Sequence, residues 1–469
     1  MGYCQNLSVI ILAAGKGKRM KTETAKVLHH ICYQPILYYV LSSVKKINPK
    51  NIFLIVGHKA KGIKEYIEDK FPEIETVYQQ KQLGTAHAVS MVEKFYSHLG
   101  NNILIIPGDS PLITSDTLKK LINKKTAGKS SASILTAVSP NPEGYGRVIK
   151  DKSGNILKIV EETDATEEEK QINEINSSIY CFDKIALFKN IININTKNQQ
   201  GEYYLTDIVE RLVKKGLKVS CLKAKNNWEA IGINDRVQLY RTEKFIQKII
   251  NIKFMENGVT IKDTDSCYIG AEVKIGRDSV IEPFCFIKGK TKIGKNCIIG
   301  SFSQLTDCEI GSGSDVKSSV ILGASIGHEN NIGPYSYIRP GTKTGRNVKI
   351  GAFCEIKKSV VSKGSKIPHL SYIGDSEIGS GINIGASTVT VNYDGFKKFK
   401  TIIEDNVFIG SDTMLVAPVR IGKGAIVAAG SVITEDVEPN CLAIARGKQK
   451  NIKDGAISYR KKKKESKNK

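Results

Sequence analysis

The sequence predicts two folds in one chain: an α/β domain over residues 1–235 and a left-handed parallel β-helix over 258–469, joined by a long helix at 236–257. Three observations predict this. In the second half an aliphatic residue returns every six positions, at Ile269, Ile275, Ile281, Ile287, Ile293 and Ile299. That period belongs neither to a helix, at about 3.6, nor to a half-buried strand, at about 2; it marks a solenoid in which each flat side contributes one inward aliphatic residue. The first half instead alternates short apolar runs with charged, helix-compatible stretches. Between the halves, Val237, Tyr240, Phe245, Ile249 and Ile252 recur at helical spacing among Lys, Glu and Gln.

Composition narrows the classes. A chain of 469 residues holds two or three domains. No stretch approaches the ~20 apolar residues of a membrane span. The start of the chain lacks the basic and small-residue features of a signal peptide, and Asn6 breaks a myristoylation pattern. The ten cysteines are scattered without a CxxC pair, which fits free thiols in a reducing cytoplasm rather than a disulfide or metal framework. A net charge of +23 raises the question of nucleic acid. The lysines are spread along the chain with an excess of Ile and Asn, so compositional bias explains the charge better, and no nucleic-acid partner is expected. Only residues 460–464 (RKKKK) form a basic run, and it is expected to be a solvated, disordered tail.

Taken in order, residues 9–13 (VIILA) form a first strand that ends in the glycine-rich turn Gly15-Lys16-Gly17-Lys18-Arg19. Glycines let backbone N–H groups approach a phosphate, and Lys and Arg supply countercharge. The spacing is neither that of a Walker A loop nor GxGxxG. Residues 52–56 and 103–106 form further strands, and the latter ends at Pro107-Gly108-Asp109, placing a carboxylate where a divalent cation could sit. Residues 61–69 and 117–125 suit helices. Lys26 stands in AKVLH, Gln82 to Ala86 precede a helix, Gly144-Tyr145-Gly146-Arg147 forms a turn, and Gly232-Ile233-Asn234 closes the set. Such alternation gives a mostly parallel sheet with ligands at the strands' carboxyl ends. Asp235 can cap the joining helix and Gly258 can stop it.

In the solenoid, Gly270, Gly276, Gly294 and Gly300 follow inward aliphatics and are expected to supply the unusual dihedrals of the corners. The period slips by one after Leu305 and resumes at Ile310 and Val316, then at Ile326, Ile332 and Ile338, then at Ile350 and Ile356. Residues 392–400 (NYDGFKKFK) interrupt it as a protruding loop, the kind of place where function concentrates. His369-Leu370-Ser371-Tyr372 also breaks the pattern. Acyl transfer to an amine needs a base, because an ammonium has no lone pair, and histidine, with a pKa near ~6.5, can take that proton at neutral pH.

In this order the motifs resemble the nucleotide-sugar pyrophosphorylases. With the hexapeptide half included, the whole chain is similar to the bacterial family that joins an N-acetylglucosamine-1-phosphate uridylyltransferase to a glucosamine-1-phosphate N-acetyltransferase. The resemblance implies a Rossmann-like nucleotidyltransferase domain before the β-helix. It implies that Leu12, Ala13, Ala14, Gly15, Lys26, Gln79, Gly84 and Thr85 meet the uridine nucleotide and that Arg19 faces the triphosphate. Gly146, Glu161 and Asn176 would bind the sugar moiety, and Asp109 and Asn234 would hold Mg²⁺. In the second half it implies His369 as the base. Arg339, Lys357, Tyr372 and Asn383 would bind the amino-sugar phosphate. Ala386, Asn392, Tyr393, Ser411, Ala429 and Arg446 would line the acetyl-CoA site. It further implies UTP and acetyl-CoA as co-substrates, a cytoplasmic homotrimer with active sites between subunits, and a product that feeds bacterial cell-envelope synthesis. The sequence departs from the family pattern at Thr24-Ala25, Pro107 and Ser177-Ser178. Three other readings stand beside this one: a pyrophosphorylase whose β-helix is only a scaffold, a non-catalytic subunit of the same folds, and a nucleic-acid binder acting through the tail. His369 with the NYDG loop argues against the first, and GKGKR with Asp109 and Asn234 against the second.

Overall fold

The strand Leu7–Ala13 is apolar on both faces, with Val9, Ile10 and Ile11 fully buried, as a strand inside a parallel sheet must be. In the computed structural model, which describes residues 6–466, it pairs in parallel with Asn51–Val56 on one side and Asn102–Pro107 on the other. Leu12 lies beside Pro107 in that register, so the glycine-rich turn and Asp109 leave the sheet side by side. The sheet continues past Asn51–Val56 to Glu75–Tyr78, and past Asn102–Pro107 through Glu174–Asp183 and Ala132–Val138 to Val219–Lys223. The chain therefore departs to opposite sides of the first strand, which opens a crevice at its carboxyl end. Helices Ala60–Lys70 and Ser115–Ala127 contain the two stretches expected to be helical.

The sheet is more mixed than the alternation implied. Glu174–Asp183 runs antiparallel to both Asn102–Pro107 and Ala132–Val138. Between Val138 and Glu174 the chain makes a hairpin, Arg147–Lys150 with Ile156–Val160, and only the short helix Glu167–Lys170. Without a long crossover helix the next strand returns antiparallel.

The joining helix spans Arg236–Glu256. The Gln238 N–H donates to Asp235 Oδ1 at 2.8 Å, and Gly258 follows the helix at a φ of +85°. The chain divides into two compact units between Ile249 and Ile250, inside this helix. In the first unit the Phe245 ring lies 4.8 Å from that of Trp228. In the second, Ile250 and Phe254 pack on the solenoid core, and Asn251 Nδ2 donates to the carbonyls of Thr264 and Cys267 at 2.9 and 3.0 Å.

The solenoid is built of three parallel sheets of 11, 10 and 9 strands. Val280 pairs with Ile298, eighteen residues on, so one coil is three hexapeptides. The inward aliphatics from Ile281 to Ile356 form one continuous core, while Ile275, on the edge strand Lys274–Ile275 of its sheet, is half-buried. The slip after Leu305 is absorbed as shorter coils: Gln304 pairs with Val320, sixteen residues on, and the offset is eighteen again at Ser325 with Lys343. The segment at 392–400 loops out and stretches the offset to twenty-five, Ser376 pairing with Thr401. Cys285, Cys297, Cys308 and Cys354 are buried at coil corners beside serines and threonines, and all nine cysteines among the described residues are free thiols.

Two expectations are corrected here. Gly276, Gly294 and Gly300 do not take the left-handed corner dihedrals; Asp278 (φ 63°), Asn296 (55°) and Phe302 (64°) take them instead. The reason for glycine is space. A Cβ on Gly276 would lie 2.6 Å from the Gly294 backbone, and one on Gly294 would lie 2.5 Å from the Ser312 nitrogen. The basic tail is not structureless either: Gly455–Glu465 is an exposed α-helix, since the run after Gly455 lacks Pro and Gly and is rich in Lys, Arg and Glu. Residues 467–469 of the tail, and residues 1–5, where the segment used for the signal-peptide and myristoylation readings begins, lie outside the described residues.

The contrast is testable by thermal unfolding. Gly294→Ala forces a backbone clash and is expected to cost about 1–3 kcal/mol. Asn296→Gly relieves a left-handed residue and is expected to stay within about 1 kcal/mol of the parent. A Gly294→Ala variant as stable as the parent or more so would contradict the steric account.

Candidate active sites

The crevice at the carboxyl end of Leu7–Ala13 is a cleft of about 580 Å³. All fourteen residues expected for the nucleotide, sugar and metal line it, from Leu12 through Gln79, Asp109 and Glu161 to Asn234. The elements that deliver them explain the sequence around each. Gly108 lets one strand end close on the other: its N–H donates to the Leu12 carbonyl at 2.8 Å, and a Cβ there would lie 3.1 Å from that oxygen. Gly84, at a φ of +113°, starts the helix Thr85–Ser90, and a Cβ on it would strike the Tyr203 backbone at 2.5 Å. Gln79 Nε2 then donates to the Gly84 carbonyl at 3.3 Å and meets His87 Nδ1 at 2.9 Å, tying the strand to that helix. Arg147 is buried, pairs with Glu162 at 2.7 Å and donates to the Tyr145 carbonyl, which fixes the turn carrying Gly146.

Three distant segments meet at the cleft's charged centre. Lys26 Nζ contacts Asp109 Oδ2 and lies 3.3 Å from Asn234 Oδ1. The Asn234 N–H is held by Gln238 Oε1 at 2.7 Å, and the Ile233 N–H by the Asp109 carbonyl at 3.0 Å. One carboxylate and one amide oxygen thus converge on a single cationic group. Among the described residues no cluster of three or more His, Cys, Asp or Glu could hold a metal, so an ion here would take its other ligands from substrate oxygens and water. The convergence of Asp109 and Asn234 fits Mg²⁺ on those terms.

The opposite wall is acidic and drier. Burial raises the Glu161 pKa despite a hydrogen bond from Thr206 Oγ1 at 3.1 Å. Asp207, which does not itself line the cleft, is pushed up to about 6 by burial and then by Glu210 and Asp164. Asn176 donates to the Tyr180 hydroxyl at 2.6 Å, where the register of Glu174–Asp183 shifts and Ser178 turns left-handed at φ 58°. That bulge turns Ser177 and Ser178 into the cleft.

In the second unit His369 ends the strand Lys366–His369, exposed, and Leu370 turns the corner at φ 48°. Ser371 Oγ donates to the His369 carbonyl at 2.8 Å. From this corner a column climbs coil by coil: Ser387 N–H to the His369 carbonyl at 3.4 Å, Asp412 N–H to Ala386 at 2.7 Å, Gly430 N–H to Ser411 at 2.8 Å, and Arg446 Nη1 to Ala429 at 2.7 Å. Four of the six expected acetyl-CoA residues share that column. Around the corner, Arg339 pairs with Glu355 at 2.8 Å, and Tyr372 is Glu355's register partner. Lys357 Nζ lies 3.6 Å from Asp375 Oδ2, which also accepts from Asn392 Nδ2 at 2.6 Å. Asn383 lies one coil above Lys366, on the strand stacked over that of His369, without a side-chain bond to the others. Tyr393 is exposed on the loop, whose turn is closed by Asp394 Oδ1 accepting from the Phe396 and Lys397 N–H groups at 2.8 Å.

Some residues at both sites were not anticipated. Lys398 approaches Lys357 closely, and that ammonium, through a hydrogen bond and its charge, holds Lys398 below the usual lysine range. The basic run of the loop was its signal. Tyr145 lines the cleft inside a turn motif already singled out; burial, then the charge of Asp109, push its phenol up. Glu202 reaches the cleft from an irregular segment that carries no sequence signal.

The raised Glu161 gives a pH test. As pH rises past the ordinary value of 4.5, the unfolded chain releases this proton before the folded one, so folding loses stability. Glu161→Gln is expected to melt roughly 2–4 °C above the parent at pH 8 and to match it at pH 4; a difference independent of pH would contradict this.

Comparison with known proteins agrees with both halves. Residues 8–247 match the nucleotidyl transferase family, and residues 400–435 match the bacterial transferase hexapeptide family of six repeats, which identifies the solenoid as a left-handed β-helix. The bifunctional protein GlmU of Thermoanaerobacter pseudethanolicus is 50% identical over 98% of this chain and 99% of its own length. That of Geobacillus sp. strain WCH70 is 47% identical over 94% and 96%, and that of Clostridioides difficile 45% over 96% and 97%. With likeness of this extent along both units, the chain belongs to the bifunctional GlmU family.

Proposed function

We propose that the chain is a cytoplasmic two-site enzyme that acetylates glucosamine-1-phosphate with acetyl-CoA at the β-helix and couples the product to UTP at the α/β cleft, giving UDP-N-acetylglucosamine and pyrophosphate. The observation that carries this is the meeting of Lys26, Asp109 and Asn234 in a cleft lined by every residue expected for a nucleotide and sugar. There the sugar phosphate attacks the α-phosphorus of UTP and pyrophosphate leaves. Asp109 and Asn234 would hold Mg²⁺, whose charge neutralises phosphate oxygens as the two anions approach. The glycine-rich turn offers N–H groups and Arg19 to the triphosphate, and the Gly146, Glu161 and Asn176 wall orients the sugar. Catalysis is positioning and electrostatics, with no covalent intermediate.

At the second site His369 takes a proton from the amino sugar's ammonium, the freed amine attacks the thioester carbonyl, and the thiol of CoA leaves. Arg339, Lys357 and Lys398 supply the countercharge for the sugar phosphate, and a phosphate there relieves the crowding of the two lysines. The column above His369 gives the pantetheine arm a track of small residues, Ala386, Ser411 and Ala429, ending at Arg446. His369, Leu370 and Tyr393 are open to solvent in one chain. Phe284 stacks on Phe302 at 5.2 Å and Tyr335 on Phe353 at 5.4 Å, all four exposed along the coils. A homotrimer would cover these rings and close the acetyl-transfer site between subunits. Among the described residues no helix is long and apolar enough to cross a membrane.

Separate mutants test the separation of sites. His369→Ala is expected to lower thiol release from acetyl-CoA by about 10²–10⁴-fold while leaving pyrophosphate release from UTP unchanged. Asp109→Ala is expected to do the reverse. Loss of both activities in either folded mutant would refute independent sites.

A further inference from the structure

Lys26 stands in the place the metal needs. Its ammonium is bonded to Asp109 Oδ2 and Asn234 Oδ1, the two oxygens assigned above to a divalent cation. A Mg²⁺ ion binds oxygens at about 2.0–2.1 Å and cannot share that pair with an ammonium, both for room and for like charge. The lysine is well placed to leave. It opens the short helix Lys26–Leu28, and its stem runs along the glycine-rich turn: a Cβ on Gly17, itself at φ +60°, would lie 3.2 Å from Lys26 Cβ. Movement along that turn carries the ammonium toward the backbone that faces the phosphates. A lysine is a point charge on a flexible stem, whereas an arginine fork would bind the carboxylate in a fixed, paired geometry.

We infer that Lys26 is an exchangeable counter-ion: it neutralises Asp109 in the free protein and passes to a nucleotide phosphate when a divalent cation takes its place. This rests on the proposed reading of Asp109 and Asn234 as metal ligands. Metal alone must displace the ammonium and leave it without a partner, so it binds poorly. A nucleotide supplies the new partner, so metal and nucleotide favour each other, and by linkage the preference is mutual. The cleft then avoids holding a bare divalent cation, and Lys26 acts on the metal as a positioning residue.

The test uses Mn²⁺ alone, titrated into the full-length protein without nucleotide and followed by the electron paramagnetic resonance signal of the free ion, so no turnover is read. Lys26→Met is expected to bind Mn²⁺ about tenfold or more tightly than the parent, in the range of ordinary coupling between sites. Lys26→Ala serves as a second neutral variant, and Lys26→Arg, which keeps the charge, is expected to stay weak. Thermal unfolding confirms that each variant is folded. If both neutral variants bind Mn²⁺ no better than the parent, the exchange is overturned. Asp109→Asn in the Lys26→Met background separates the two ideas: loss of the tight binding places the ion on Asp109, and its survival there overturns the metal-ligand reading together with the exchange.

Discussion

A carboxylate held at the meeting point of two neighbouring strand ends needs a positive partner, and the α/β unit is arranged around supplying one. Asp109 is only 17% exposed. Its partners arrive from far along the chain, Lys26 from the segment after the first strand and Asn234 from just before the joining helix. Neither can reach it unless Leu7–Ala13 and Asn102–Pro107 pair in the observed register and Gly108 permits their close approach. The charged centre is therefore a product of the completed fold. The same convergence of oxygens that satisfies an ammonium is what the proposed function would use for a divalent cation.

The second unit solves a different problem by repetition. Each coil repeats the register of the one below, so a residue at a corner is stacked on its counterparts above and below. Most corners use this only for stability, with hydroxyls and thiols bonding to the next coil, as Ser279 Oγ does to the Gly294 carbonyl at 2.9 Å. Repetition fails at the loop 392–400; contrary to the expected break, Ile367 and Ile373 keep the inward period on either side of His369, which projects from a regular corner of a rigid frame. The column from His369 to Arg446 turns regular spacing into a track, and the loop brings Asn392 onto Asp375 and Lys398 beside Lys357.

Most of this was legible because it depends on short-range pattern. The six-residue period marked the coils, the apolar runs marked the central strands, and Gly108 and Gly84 stood in segments singled out for the site, where the structure shows that a Cβ would meet backbone. What escaped depends on long-range pairing. The antiparallel Glu174–Asp183 strand is decided by the absence of a long crossover helix, and its own residues carry no sign of direction. Gly276 and Gly294 were assigned to dihedrals because their constraint comes from a backbone one coil away. Glu202 joins the cleft through a loop with no local signature, and Lys398 was hidden in a charge run that pattern alone cannot tell from solvated surface.

The central claim is that one site depends on a divalent cation and the other on a proton acceptor, in the same chain. The most direct test supplies the parent protein with glucosamine-1-phosphate, acetyl-CoA, UTP and Mg²⁺, follows thiol and pyrophosphate together, and then adds excess EDTA. Pyrophosphate release should stop while thiol release continues at its former rate. Continued pyrophosphate release, or arrest of both, would contradict the account.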